Sequence, residues 1–238
     1  MGASRGIGRA IAEALAREGA SVALASRSRE GIEEAAAAID GETVALEADT
    51  SDLERLGTLP GEVEAALGPV EVLVANTGGP PLGGALDNTF EEWDAAYRSL
   101  LLAPRVLVEA VLPGMRERRW GRIVNVGSSS VREPIPHLTL SNSFRMAAVG
   151  FMKTLAGEVA AEGITVNTVA TGRFATDRLA SNWGSWEEME RGAIEGVPAG
   201  RLGDPAEYGD LVAFLSSERA AYLTGAVIPL DGGLLQSV

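Results

Sequence analysis

Three glycines, Gly2, Gly6 and Gly8, stand immediately before an amphipathic helical run over 9–18, which Gly19 closes. A glycine-rich turn opening a helix aims several backbone N–H groups, and the positive end of the helix dipole, at one point. A phosphate suits that point, and residues without Cβ let it approach the backbone closely. Gly2, Ser4, Arg5, Gly6, Ile7 and Gly8 are therefore the expected cradle of a nucleotide phosphate. The same pattern also describes an ordinary helix entry, so its weight depends on the elements that follow.

Those elements alternate short apolar runs with longer helical patterns, as a parallel sheet with crossover helices requires. Strands are expected at 21–26, 43–46, 70–75, 121–126, 164–169 and 226–230. Helices are expected at 29–39, 52–67, 90–118 (bent by Pro104), 139–162 and from Asp204-Pro205 onward, with 171–200 irregular. In such sheets ligands sit beyond the carboxyl ends of the strands. Here those ends are Ser26-Arg27, Asp49-Thr50, Asn76-Thr77-Gly78, Gly127-Ser128 and Thr171-Gly172, and all should line one crevice with the glycine turn. A dinucleotide-binding unit also needs a buried strand before that turn, whereas the sequence opens on it. We expect a misplaced or shortened start; otherwise the neighbouring strands must close up or borrow a strand.

Composition narrows the function. The 238 residues fit one α/β domain, 1–238, without repeat or linker. No apolar run reaches membrane-spanning length and no leader opens the chain, so a cytoplasmic protein away from membranes is expected. The absence of cysteine excludes disulfides and thiol catalysis, and the single histidine, His137, excludes a His-rich metal site. A net charge of −13 argues against nucleic acid as partner.

The sequence resembles the short-chain dehydrogenase/reductase family, in particular members similar to 3-oxoacyl-acyl-carrier-protein reductases. The likeness is carried by Gly2-x-x-x-Gly6-x-Gly8, Ala48-Asp49, Asn76-x-Gly78, Arg122 through Ser128, and Val166-Asn167. Arg201-Leu-Gly203-x-Pro205-x-Glu207, Leu223-Thr-Gly225 and Asp231-Gly-Gly233 extend it over nearly the whole chain. It implies a Rossmann-like, doubly wound α/β fold, here lacking the first family strand, and NAD or NADP over the opening turn. Asp49 with Thr50 would meet the adenine, and Asn76 and Gly78 the adenosine ribose. Gly172 and Thr176, in the loop after Val169, would frame the nicotinamide. Where an acidic residue would select NAD, this chain has Ser26-Arg27, with Arg5 nearby; two guanidiniums suit a 2′-phosphate, so NADP is the expected cofactor.

The resemblance breaks at the catalytic positions. Ser128 holds the family's serine place, but Ser141 stands where the tyrosine belongs and Arg145 where the lysine belongs. Leu100 replaces the helix asparagine, Ala75 the first Asn of the family's Asn-Asn-Ala-Gly, and Thr171 the proline before Gly172. A serine hydroxyl can hold a carbonyl by hydrogen bond but is a poor proton donor, and losing a positioned acid removes ~10²–10⁴ in rate. Arg145 can still bind the nicotinamide ribose. His137, four residues before Ser141, is the alternative donor, because imidazole exchanges protons near neutral pH; a plain loop histidine is the competing reading. Tyr97 is expected to pack, and Tyr208 and Tyr222 to frame the fold.

Three functions follow: an NADP-dependent oxidoreductase with a modified site on a carbonyl or alcohol substrate, a catalytically silent NADP-binding sensor or partner subunit, or a scaffold without ligand. Apolar residues on several faces of 90–118 and 139–162 (Phe144, Met146, Val149, Phe151, Met152, Leu155, Val159) predict a homo-oligomer, dimer or tetramer. The stretch 173–200, with Trp183, Trp186 and Met189, is the expected substrate lid.

Overall fold

The computed structural model describes residues 1–181 and 185–237. Chain order is α1 (Gly6–Arg17), β1 (Val22–Ser26), α2 (Arg29–Ala37), β2 (Thr43–Glu47), α3 (Leu53–Leu67) and β3 (Val72–Ala75). Then come α4 (Phe90–Tyr97), α5 (Ala103–Arg118), β4 (Gly121–Val126), α6 (Thr139–Val159), β5 (Ile164–Thr171), α7 (Asp177–Ala180), α8 (Trp186–Ile194), α9 (Pro205–Leu215) and β6 (Val227–Leu230). Every strand pairing is parallel, so all carboxyl ends face one way, as the alternation predicts.

The strands form two sheets, β1-β2 and β3-β4-β5-β6. All six residues of β4 are buried, as are seven of the eight of β5, which marks both as interior strands covered on each face. One face carries α3, α5 and α6 over Leu56, Leu107, Val108, Met115, Ile123 and Val166. The other carries α1 and α9 over Ile11, Val126, Val169, Tyr208 and Val212. Gly209 lets these two helices touch, since a Cβ there would fall 2.5 Å from the Ala10 carbonyl oxygen. Among the described residues no strand lies between β1 and β3. Residues 1–3 bridge their carboxyl ends instead: Ala3 N donates to Ala25 O, and Asn76 Nδ2 donates to Met1 O.

Two expectations need correction. The helix expected over 90–118 is interrupted by a π turn, Arg98–Leu102, so the irregularity precedes Pro104, which sits harmlessly in the first turn of α5. The stretch 171–200, expected to be irregular, contains α7 and α8. Each is capped by a hydroxyl, Thr176 accepting from Leu179 N and Ser185 from Glu188 N, a pattern short enough to miss. Trp183 lies outside the described residues. No described helix is long and apolar enough to cross a membrane, and no described cluster of His, Cys, Asp and Glu could hold a metal.

Candidate active site

The glycine turn is built as a cradle. Gly2 and Gly6 take positive φ, and a Cβ on Gly8 would fall 2.1 Å from Gly2 O, so only glycine closes the turn. The first turn of α1 has no capping side chain and no acidic residue, whereas α2, α3, α4 and α9 are capped by Ser28, Asp52, Thr89 and Asp204. Uncapped N–H groups over a glycine turn suit a pyrophosphate, so the residues present fit the expected dinucleotide. Asn76 braces the cradle by donating to Met1 O and Gly2 O. Ile7 turns into the core, and Ser4 lies beside the start of α2. The Thr176 methyl group rests over Gly6, which brings the segment leading into α7 onto the turn.

The proposed 2′-phosphate side is open. Arg27 is exposed at the end of β1, and Arg5 forms only a 3.8 Å ion pair with Asp177 between exposed side chains. The Asp49 carboxylate accepts from Ser51 N and Oγ and so shapes its own loop, next to the half-buried Thr50.

At the other end, Arg145 ties the strand ends together. It rises from α6, and its guanidinium donates to Val126 O (2.8 Å) at the end of β4 and to Gly78 O (3.3 Å) after β3. Burial pushes its pKa down to about 10, so it remains charged at neutral pH. Ser141, 5% exposed, lies one helical turn earlier on the same face of α6. Ser128 closes β4 and accepts from Ser130 N, which holds its oxygen at the head of a short 3₁₀ turn, Ser129–Val131. Gly127 N donates to Val169 O, and Gly172 N to Leu230 O, so the ends of β4, β5 and β6 are in register beneath these groups.

His137 is exposed on the loop entering α6, with φ of 59°, a conformation uncommon outside glycine. Gly83 N donates to His137 O, and Thr139 N to Gly83 O, so this loop is stitched to the one after β3. No side-chain contact joins the imidazole to Ser141. Leu100 is buried in the π turn and packs with Ala96 and Leu140 against Trp93 and Phe144. An apolar plug thus fills the expected asparagine position. Tyr97 stacks at 5.9 Å on Phe144, as packing predicts, and Tyr222 is fully exposed.

Tyr208, which the sequence places in the frame, also touches a strand end. It is completely buried in α9, yet its hydroxyl lies 2.9 Å from Thr171 Oγ1, at the end of β5. Burial raises the phenol pKa, so Tyr208 is a poor acid and holds the Thr171 strand end in place. A cleft of about 320 Å³ between α1 and the starts of α7, α8 and α9 is lined by Gly6, Arg9, Thr176, Asp177 and Trp186. It borders the cradle but reaches none of Ser128, Ser141, Arg145 or His137.

Known proteins agree with this architecture. The family model described as enoyl-(acyl-carrier-protein) reductase matches residues 2–235. The chain is 37% identical to 3-oxoacyl-[acyl-carrier-protein] reductase FabG of Haemophilus influenzae, over 99% of this chain and 96% of that protein. It is 34% identical to the human dehydrogenase/reductase SDR family member 4, over 96% of this chain and 83% of that protein. Among solved structures, YwfH, described as an NADPH-dependent reductase involved in bacilysin biosynthesis, superposes with a TM-score of 0.94 at 29% identity, covering 100% and 97% of the two chains. L-sorbose reductase from Gluconobacter frateurii, solved with NADPH and L-sorbose, gives 0.94 at 29%, covering 100% and 95%. With the parallel sheet, the glycine turn and the strand-end crevice in place, this chain belongs to the short-chain dehydrogenase/reductase family.

Proposed function

We propose that this protein is an NADP-dependent oxidoreductase acting on a small carbonyl or alcohol substrate through a modified site, in one dinucleotide-binding domain of a cytoplasmic homo-oligomer. The observation that carries the reading is Arg145. One guanidinium joins the ends of β3 and β4 one turn from Ser141, so a cationic floor survives where the family's lysine is missing. The NADPH in the descriptions of YwfH and of L-sorbose reductase supports the choice of cofactor.

When bound, the cofactor supplies or accepts the hydride. Gly2, Gly6 and Gly8 with the first turn of α1 would hold its pyrophosphate, Arg5 and Arg27 its 2′-phosphate, and Gly172 and Thr176 its nicotinamide end. Ser128 and Ser141 hold the substrate oxygen by hydrogen bond, and Arg145 stabilises negative charge developing there. The proton comes from solvent or from His137, because Tyr208 is buried and bound to Thr171. Titration with NADPH and NADH, followed by turnover on a panel of ketones and alcohols, tests the reading. A second reading, a silent NADP-binding sensor, is favoured by the Leu100 plug, which leaves no polar route for protons at that position. Cofactor binding without turnover would select it.

A further inference from the structure

We propose that the substrate carries a carboxylate, and that Arg145 and Arg178 clamp it from opposite walls of the site. This rests on the oxidoreductase reading and deepens it. Arg145 comes from α6 beneath the crevice and Arg178 from α7 in the lid, and both grip the same loop. Arg145 donates to Gly78 O and Arg178 Nη2 donates to Pro80 O at 2.9 Å. The Arg178 guanidinium lies flat on Gly79, where a Cβ would meet its Nη2 at 2.7 Å and its Nε at 3.0 Å. The two carbonyls are two residues apart, at most about 7 Å of chain.

Two like charges held this close need an anion or a structural counter-charge. Among the described residues neither arginine forms an ion pair, a state shared with eight of the other seventeen arginines; what sets these two apart is that both grip one loop. In a chain of net charge −13 carboxylates are abundant, yet among the described residues none lies within ion-pair distance of either guanidinium. The carbonyls occupy two of Arg145's five donors and one of Arg178's, which leaves both forks with N–H groups for a planar carboxylate. The cofactor's phosphates are expected at Gly2–Gly8, whereas Gly79 and Pro80 lie past the Asn76–Gly78 segment expected at its ribose.

Ser141 and Arg145 are one helical turn apart, about 5–6 Å between Cβ atoms. A carbonyl at Ser141 and a carboxylate at Arg145 therefore belong to a short 2-oxo or 3-oxo acid, or to the corresponding hydroxy acid. An acyl thioester would bring no charge to that point.

The test compares 2-oxobutanoate and acetoacetate with their methyl esters, by calorimetry on the NADP⁺-loaded protein. We expect at least one acid to bind tenfold or more tighter than its ester. Arg178→Gln should bring that ratio near one, and Arg178→Lys should keep part of it. Equal affinities in the wild type, no binding of either acid, or an unchanged ratio in Arg178→Gln would each overturn the proposal. So would a loss confined to NADP⁺ affinity in that variant, which would assign Arg178 to the cofactor. Wild-type protein that fails to bind NADP⁺ at all would instead defeat the oxidoreductase reading, and direct titration of the nucleotide separates the two failures.

Discussion

At the scale of single residues, the proposed site puts a serine hydroxyl where the family resemblance implies a tyrosine and a guanidinium where it implies a lysine. Ser141 and Arg145 occupy neighbouring turns of α6, and Arg145 is held by two carbonyls that a shorter or more mobile cation would not span together. Ser141→Tyr with Arg145→Lys should raise reduction of a simple ketone by NADPH by about 10²-fold, the scale of a restored general acid. Adding Leu100→Asn should help further in steady-state kinetics, because such groups act as a unit. His137→Ala reads the alternative donor: a fall in kcat of about 10²-fold supports it, and an unchanged kcat leaves the proton to solvent. Ser128, Ser141 and Arg145 are candidates that the family resemblance named. Arg178 and Tyr208 were not among them, because their roles come from contacts with Gly79–Pro80 and Thr171, distant in sequence.

At the scale of elements, the helix caps decide what each terminus can bind. α1, α5 and α6 all lack a side-chain cap, and of these only α1 starts from the glycine turn Gly2–Gly8. Gly8→Ala should abolish NADPH binding in a calorimetric titration while thermal unfolding still shows a folded protein, since the added Cβ meets Gly2 O. At α9 the reverse holds: Asp204 and Glu207 form a capping box, and Arg201 pairs with Glu207 through both guanidinium nitrogens. The Arg201 guanidinium, aided by the Asp204 N–H, pulls the Glu207 pKa down to about 2. A carboxylate whose folded pKa is depressed stabilises above its unfolded pKa and loses that contribution as pH falls through the folded value. Glu207→Gln should therefore cost about 1 kcal/mol at pH 7, a modest figure because the pair is solvent-screened. Urea unfolding across pH should show the difference closing between about pH 4.5 and pH 2. The places of the strands and the alternation of strand with helix could be read from sequence. The π turn could not, since an extra residue in a helical turn leaves the apolar pattern of 90–118 nearly unchanged.

At the scale of the whole molecule, the convergence of strand ends was the legible feature, because parallel strands place every carboxyl end on one edge. What joins those ends, residues 1–3 across the gap between β1 and β3, depends on contacts that no local pattern encodes. Leu86 and Phe90, at the start of α4, and Met146, on α6, are exposed apolar groups. They fit a homo-oligomer built through these helices, for which sedimentation should show a dimer or tetramer that Phe90→Glu with Met146→Glu dissociates. A wild-type monomer at tens of micromolar would remove that part of the account. The central claim, reduction through a modified site, is read most directly by NADPH consumption over a panel of oxo acids, neutral ketones and 3-oxoacyl thioesters. The account predicts turnover of a small carbonyl, with thioesters weak or inert. Brisk reduction of 3-oxoacyl thioesters, or silence across the panel with NADPH bound, would contradict it.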